Sequence, residues 1–253
     1  MNIQDKRIIV TGGAGGIGAC TIQKLLEKNA IIAAVDINKR GLELLKKACE
    51  PYVNNLITYH GDVSDFSFVE TITGDFFSRG GRIDALVNNA AILKDSPLVS
   101  IFKGEIRKYS LKDWDQTIAT NLSGTFYFSR EVAEKMILKR TRGVIINVSS
   151  ISSAGNLGQT AYAAAKAGMD ALTVTWSLEL AYFGIRVAGI APGIVDTSMP
   201  RNSMNDKLLL SWINKTPMQR MGYPDEIAGA ILFILDNDFF GGRVLEIDGG
   251  LRM

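Results

Sequence analysis

The hydrophobic positions of this 253-residue chain fall into short β-branched runs separated by stretches of helical period. Ile8-Ile9-Val10 is the first run, and it halts at Thr11-Gly12-Gly13-Ala14-Gly15-Gly16-Ile17-Gly18. Beyond it Cys20, Ile22, Leu25 and Leu26 lie on one side and Lys24, Glu27 and Lys28 on the other, which predicts an amphipathic helix. A second strand is predicted over 31–35, ending at Asp36, with a helix after it carrying Leu42, Leu44 and Leu45. Third and fourth strands follow at 56–59 and 85–88, running into His60-Gly61-Asp62-Val63 and Asn89-Ala90-Ala91. From 92 to 112 the pattern lapses into Pro97, Gly104 and mixed charges, which predicts a surface loop longer than a compact domain usually needs. A long helix is predicted over 113–139, then a strand over 143–148 that ends at Ser149-Ser150. A helix over 160–183 and a sixth strand over 185–190 come next. The stretch 194–222 contains scattered apolar positions but no strand, which suits a lid of one or two short helices. Pro224 opens another helix, and 244–247 is a last strand before Asp248-Gly249-Gly250.

Six or seven strands alternating with helices predict an α/β fold, a doubly wound parallel sheet of about seven strands, with the ligand over the carboxyl ends of the strands. No repeat, low-complexity run or linker divides the chain, and α/β folds of this length are routinely single. One domain over 1–253 is therefore expected.

Composition excludes several classes. The chain is 47% hydrophobic with a formal net charge of +2, which gives no case for nucleic acid or an anionic membrane surface. Cys20, Cys49 and His60 are the whole supply of cysteine and histidine, too few for the usual zinc sites, a disulfide framework or histidine-based triads. No apolar run approaches a membrane span, and the polar start, Met1 to Arg7, is unlike a signal peptide. A cytoplasmic protein is expected.

The candidate chemistry sits where strands end. A strand, a glycine-rich turn and a helix in that order make a phosphate site, because the backbone can approach the ligand and the free N–H groups of the helix start accept the anion. Asp36 stands twenty residues after Gly16. There it can accept hydrogen bonds from an adenosine ribose 2′-OH, and its charge repels a 2′-phosphate. NAD(H) is therefore preferred over NADP(H). Lys39 and Arg40 follow as the solvated start of the next helix. Asp62 can hold an adenine amino group or cap the helix that starts near Asp65. Asn121, amid Ile118, Leu122, Phe126 and Phe128, is either a core residue bonded to backbone or a site residue.

Tyr162 and Lys166 lie four residues apart, one above the other on a helix. An ammonium beside a phenol favours the phenolate and lowers a pKa ordinarily near ~10; neutrality requires a drop of about three units, roughly 4 kcal/mol. That would fit Tyr162 for proton transfer in alcohol/carbonyl chemistry. Alone, the pair also describes an ordinary exposed helix face.

Together these segments resemble the short-chain dehydrogenase/reductase family. The matching elements are Thr11-Gly-x-x-x-Gly16-Ile-Gly18, Asn88-Asn89-Ala90, Asn121, Ser149-Ser150, Tyr162-x-x-x-Lys166 and Pro192-Gly193, in family order across nearly the whole chain. The resemblance implies an NAD(P)-binding Rossmann-fold oxidoreductase with a catalytic tetrad of Asn121, Ser150, Tyr162 and Lys166. Tyr162 would pass the proton to or from the substrate oxygen. Lys166 would lower its pKa and bond the nicotinamide ribose, Ser150 would orient the carbonyl, and Asn121 would bend its helix and hold a relay water. The implied cofactor contacts are Gly12, Gly15, Gly16, Ile17 and Gly18 in the first loop, and Asp36, Ile37, Asp62 and Val63 at the next two strand ends. Asn89, Ala90, Ala91, Pro192, Gly193, Val195 and Thr197 complete them, with Tyr162 and Lys166; no metal is implied.

Counting from the strand, Ser150 is the family serine; counting back thirteen from Tyr162 lands on Ser149. A shortened loop is easier to accommodate than a shifted strand end, which would turn the side chain to the other face, so Ser150 is chosen. The chain departs from the family pattern at Ala91, where glycine is frequent, in the long 92–112 segment, and in a short turn at 236–240. The long segment lies on the substrate side and would shape the pocket or cover a neighbouring subunit. Dimers or tetramers are usual in the family, and Phe126, Phe128 and Trp176 would suit an interface or the core. The expected partner is a small alcohol or ketone. The alternative is a 3-oxoacyl-[acyl-carrier-protein] reductase, which the segment from Asn156 to Gly168 also resembles. Such reductases usually prefer NADPH and often have a basic residue in the first loop, where this chain has Ala14-Gly15. The cluster Lys139, Arg140, Arg142 could meet an acidic carrier or simply be solvated. A third possibility is an NAD(H)-binding sensor without turnover, against which the complete tetrad counts.

Overall fold

The computed structural model describes residues 1–252. Its first half runs β1 (Arg7–Thr11), α1 (Gly16–Glu27), β2 (Ile31–Asp36), α2 (Lys39–Ala48), β3 (Leu56–His60), α3 (Phe66–Ser78) and β4 (Ala85–Asn88). A hairpin of β5 (Val99–Phe102) and β6 (Glu105–Lys108) then precedes α4 (Leu111–Ile118) and α5 (Gly124–Leu138). The remainder is β7 (Val144–Val148), α6 (Thr160–Leu180), β8 (Arg186–Pro192), α7 (Ser198–Ser203), α8 (Asp206–Lys215), α9 (Pro224–Asp236) and β9 (Val244–Ile247).

Seven strands form one parallel sheet in the order β3-β2-β1-β4-β7-β8-β9. The chain reverses its direction of travel between β1 and β4, and that switch point opens a crevice at the carboxyl ends of the strands. Alternation along each strand supplies both layers. In β1, Ile8 and Val10 pack with Ile22, Leu25 and Ile231 on one face, while Ile9 packs with Phe76, Phe128 and Val132 on the other. All of these are fully buried, and burying such a side chain stabilises by roughly 1.5–3 kcal/mol. Small residues let α6 approach the sheet: Ala161 and Ala165 are fully buried on its inner face.

Three expectations are corrected. The 92–112 segment is not an irregular loop, since β5 and β6 pair antiparallel from Val99↔Lys108 to Phe102↔Glu105. Its side chains are almost all exposed, so no buried face imposed a period-2 pattern that the sequence could reveal. The helix expected from 113 begins at Leu111 behind a Ser110 cap and is interrupted by a π turn at Ala119–Ser123. Asp62 does not cap α3; Asp65 does, accepting from the N–H groups of Ser67 and Phe68. Asp62 instead turns its own loop by accepting from the Ser64 N–H and hydroxyl. Of the aromatics, Phe128 is core, whereas Phe126 is 45% exposed with its ring 6.5 Å from that of Trp176.

Candidate active site

The strand ends frame one cavity of about 420 Å³, lined by Gly12, Gly15, Gly16, Ile17 and Asp36 on one side and by Ser150, Tyr162, Lys166 and Gly193 on another. Asn89, Ala91, Pro192, Val195 and Thr197 complete much of its wall. Gly18, Ile37, Asp62, Val63, Ala90 and Asn121 stand behind the wall or beside it rather than in it.

The first loop is held by side chains from the neighbouring strand end. Asn89 Nδ2 donates to the carbonyls of Thr11 and Gly12, both at 3.0 Å. Thr11 Oγ1 returns the link by accepting from the N–H groups of Asn89 and Ala90. Gly12 adopts φ +65°, where a Cβ would come within 2.8 Å of Ala90 Cα, so glycine is required there. A Cβ on Gly18 would run into the Gly12 carbonyl oxygen. Gly15 is different. Its backbone is extended, and a Cβ there meets nothing within 4 Å, because it faces the cavity.

Asp36 ends β2 with both carboxylate oxygens engaged: Oδ2 accepts from the Ala14 N–H at 2.9 Å and Oδ1 from the Asn38 N–H at 2.8 Å. Each oxygen keeps lone-pair capacity toward the cavity.

At the other side, α6 brings Tyr162 and Lys166 to the end of β7. Ser150 is the serine that meets the tyrosine: its hydroxyl interacts with the Tyr162 phenol, and its Oγ accepts from the Ser152 N–H at 3.1 Å. Ser149 turns away and donates to the Lys166 carbonyl at 3.3 Å. Lys166, 1% exposed, donates from Nζ to the Val148 carbonyl at 2.7 Å and lies 5.6 Å from the Tyr162 ring centroid. Burial pulls its pKa down to about 8, with Asp170 acting against that fall. The Tyr162 phenol is pushed up to about 12, chiefly by burial, with Ser150 lowering and Asp95 raising it. The expectation that Lys166 depresses Tyr162 is therefore corrected for this structure. The ammonium is directed at a main-chain carbonyl, and desolvation of the phenol outweighs what remains.

Asn121 is fully buried in the π turn. Its Oδ1 accepts from the Ile92 N–H at 2.8 Å and its Nδ2 donates to the Ile92 carbonyl at 2.9 Å. The amide thus clasps the segment leaving β4, and the main-chain carbonyl of Asn121 accepts from the Thr125 hydroxyl at 3.1 Å. Two residues that the sequence left unassigned also line the cavity. Gln159 Nε2 donates to Asp95 at 3.2 Å and Gln159 Oε1 accepts from Asn156 at 3.0 Å. Their only sequence signal was the likeness of the segment around them to acyl-carrier reductases. Leu93, Ile151, Met199, Met204 and Trp212 give this end of the cavity an apolar wall.

The short chain dehydrogenase family model matches residues 6–208. The chain belongs to the short-chain dehydrogenase family. It is 37% identical to a 3-oxoacyl-[acyl-carrier-protein] reductase of Thermotoga maritima, across 99% of both chains. It is 32% identical to the (2S)-[(R)-hydroxy(phenyl)methyl]succinyl-CoA dehydrogenase subunit of Thauera aromatica, across 99% of this chain and 98% of the other. Among solved structures, levodione reductase superposes with a TM-score of 0.90 at 32% identity, covering 98% of this chain and 97% of that one. This short-chain dehydrogenase is accordingly an oxidoreductase acting on CH–OH groups and a binder of a nicotinamide cofactor. The residues present fit that cofactor. The start of α1 has no side-chain cap and no acidic residue in its first turn, and the open side of Gly15 leaves room at those N–H groups for a phosphate.

Proposed function

We propose that the protein interconverts a secondary alcohol and a ketone with NAD(H), with Tyr162 as general acid and base. One observation carries the reading. A single cavity is lined both by the fixed Asp36 carboxylate and by the Ser150–Tyr162–Lys166 cluster.

In the reducing direction Tyr162, protonated at neutral pH, gives its proton to the substrate oxygen. Ser150 Oγ already accepts from Ser152, so its proton is free to point at the same oxygen and orient it. Lys166 uses one of its three donors on Val148 and keeps two, for a ribose hydroxyl and for a relay water through which the proton is replaced. A nicotinamide cofactor bound here would supply or accept the hydride at the carbonyl carbon. The N–H groups at the start of α1 would hold its phosphates, and Asp36 would accept from the adenosine ribose hydroxyls while repelling a 2′-phosphate. The segment 194–222, with α7 and α8, acts as the lid of the one domain, and the exposed Phe126, Leu178 and Tyr182 on α5, α6 and the turn after it suit assembly into dimers or tetramers.

A second reading, a 3-oxoacyl-[acyl-carrier-protein] reductase, is favoured by the likeness to the Thermotoga maritima enzyme and by Asn156 and Gln159 in the wall. It is the same carbonyl chemistry on a thioester substrate. Ala14 in the first loop and Asp36 weigh toward NADH rather than NADPH. The test is a panel of ketones, secondary alcohols and 3-oxoacyl thioesters with each cofactor, followed at the nicotinamide absorbance. Turnover of simple ketones with NADH supports the first reading; turnover confined to thioesters with NADPH overturns it and establishes the second.

A further inference from the structure

The hairpin of β5 and β6 forms a two-stranded sheet apart from the main one. In its register Val99 faces Lys108 and Ile101 faces Ile106, so these four side chains share one face. The three apolar ones are 56%, 74% and 70% exposed. On the opposite face Phe102 is 49% exposed, with the Arg107 guanidinium 4.3 Å from its ring centroid. Leu111 and Trp114, one turn apart at the start of α4, are exposed as well. None of these residues lines the catalytic cavity. An isolated two-stranded hairpin is marginal in water, and contiguous exposed apolar side chains mark an interaction surface.

Charge selects the occupant. Residues 98–109 contain Lys103, Arg107 and Lys108 against Glu105, a surplus of two, and the whole chain's formal charge is +2. The hairpin is therefore basic although the chain as a whole is close to neutral. A contact of hairpin against hairpin with a second copy would set like charge against like. Lysine is depleted at the centres of protein interfaces. Apolar residues flanked by lysine and arginine, with tryptophan at the boundary, are instead the pattern of segments that lie in a lipid interface.

We propose that this hairpin, with Leu111 and Trp114 beside it, docks the enzyme on an anionic lipid surface. Its base is tied to the catalytic wall: the Ser96 N–H donates to the Gly158 carbonyl at 2.8 Å, next to Gln159 with its bond to Asp95. The hairpin is thus anchored beside residues of the cavity wall.

The experiment is co-sedimentation of the full chain with phosphatidylcholine vesicles with and without phosphatidylglycerol, at low and high salt. Pelleting is expected only with phosphatidylglycerol and is expected to weaken in high salt. Lys103→Glu and Lys108→Glu should each weaken vesicle affinity by at least about fivefold. Ile101→Asp with Ile106→Asp should abolish pelleting while turnover of a water-soluble ketone stays at the wild-type level. That activity also certifies that the variants fold. No pelleting of the wild type, or equal pelleting with both vesicle types, overturns the proposal. So does a change in sedimentation coefficient of the lipid-free protein caused by the Ile101→Asp/Ile106→Asp variant, which would assign the surface to a second copy. Loss of pelleting on adding an acidic protein, with vesicle binding unaffected by the charge reversals, would assign it to a protein partner.

Discussion

Lys166 and Val148 are joined by a hydrogen bond of 2.7 Å from the buried ammonium to the last carbonyl of β7. The next residue answers it, with Ser149 Oγ donating to the main-chain carbonyl of Lys166. The end of β7 and the second turn of α6 are thus cross-linked twice in opposite senses. That double link fixes where Tyr162 stands relative to Ser150, one residue beyond Ser149. It also diverts the cation from the phenol, which is why burial prevails and the Tyr162 pKa rises to about 12.

A phenol held protonated at neutral pH is ready to donate and unready to accept. Ketone reduction should therefore be nearly independent of pH around neutrality. Alcohol oxidation should climb with alkalinity, by up to roughly tenfold in kcat/KM per unit while deprotonation of Tyr162 limits the rate. Initial rates in both directions across a pH series test this. A flat oxidation profile would show that Tyr162 is not the base. Tyr162→Phe should lower turnover about 10²–10⁴-fold in both directions.

Lys166 carries a stability cost that its chemistry explains. Its folded pKa of about 8 lies below the ordinary lysine value of 10.5. Below pH 8 both folded and unfolded chains hold the proton, and the fold bears the whole desolvation penalty, on the order of 3 kcal/mol. Between about 8 and 10.5 the folded state releases its proton first, so this group's contribution to stability improves as pH rises. Lys166→Met should then be inactive yet more stable at pH 7 by up to ~3 kcal/mol, with the gain shrinking toward pH 10.5. Urea unfolding of both proteins at several pH values measures it. A variant less stable than the wild type at neutral pH would refute the penalty.

The parallel sheet was legible because its inner strands are buried on both faces and read as short β-branched runs, while the edge strands β3 and β9 are only partly buried. β1 and β7, buried along their whole length, are the clearest cases. The hairpin of β5 and β6 was not legible, since eight residues with almost no buried face leave no periodicity to detect. At the site, helical spacing paired Tyr162 with Lys166, and the family resemblance added Ser150 to them. Direction was invisible to both. Spacing puts Lys166 near Tyr162 but does not say that its amine turns to Val148. Nor does an asparagine in an apolar helix reveal that its amide clasps Ile92 rather than facing the cavity. Such facts depend on main-chain groups from other elements, which no side-chain pattern records.

Asp36 should determine cofactor choice. Its oxygens are locked by Ala14 and Asn38, so the charge cannot swing away from an incoming 2′-phosphate. Titration should show NADH bound more tightly than NADPH. Asp36→Ala should weaken NADH by about 10–100-fold, the value of a hydrogen bond to a charged group, and narrow or reverse the preference. Tighter binding of NADPH to the wild type, or no shift in the variant, would rule out this role.

The two glycines that flank the start of α1 separate folding from binding. Alanine at Gly18 would drive its methyl into the Gly12 carbonyl oxygen and within 2.7 Å of Asn89 Nδ2. Neither neighbour can yield, because Asn89 anchors the loop, so Gly18→Ala should lose about 1–3 kcal/mol of stability. Alanine at Gly15 meets nothing within 4 Å on an extended backbone, and Gly15→Ala should keep its stability to within about 1 kcal/mol. Its methyl, however, projects into the cavity beside the uncapped N–H groups, where the cofactor phosphates are expected. NADH affinity should fall about tenfold or more with the thermal midpoint unchanged. Measured together, melting curves and NADH titrations discriminate cleanly. If Gly15→Ala binds NADH as the wild type does, the phosphates do not sit at this helix start, and the first loop serves the fold alone.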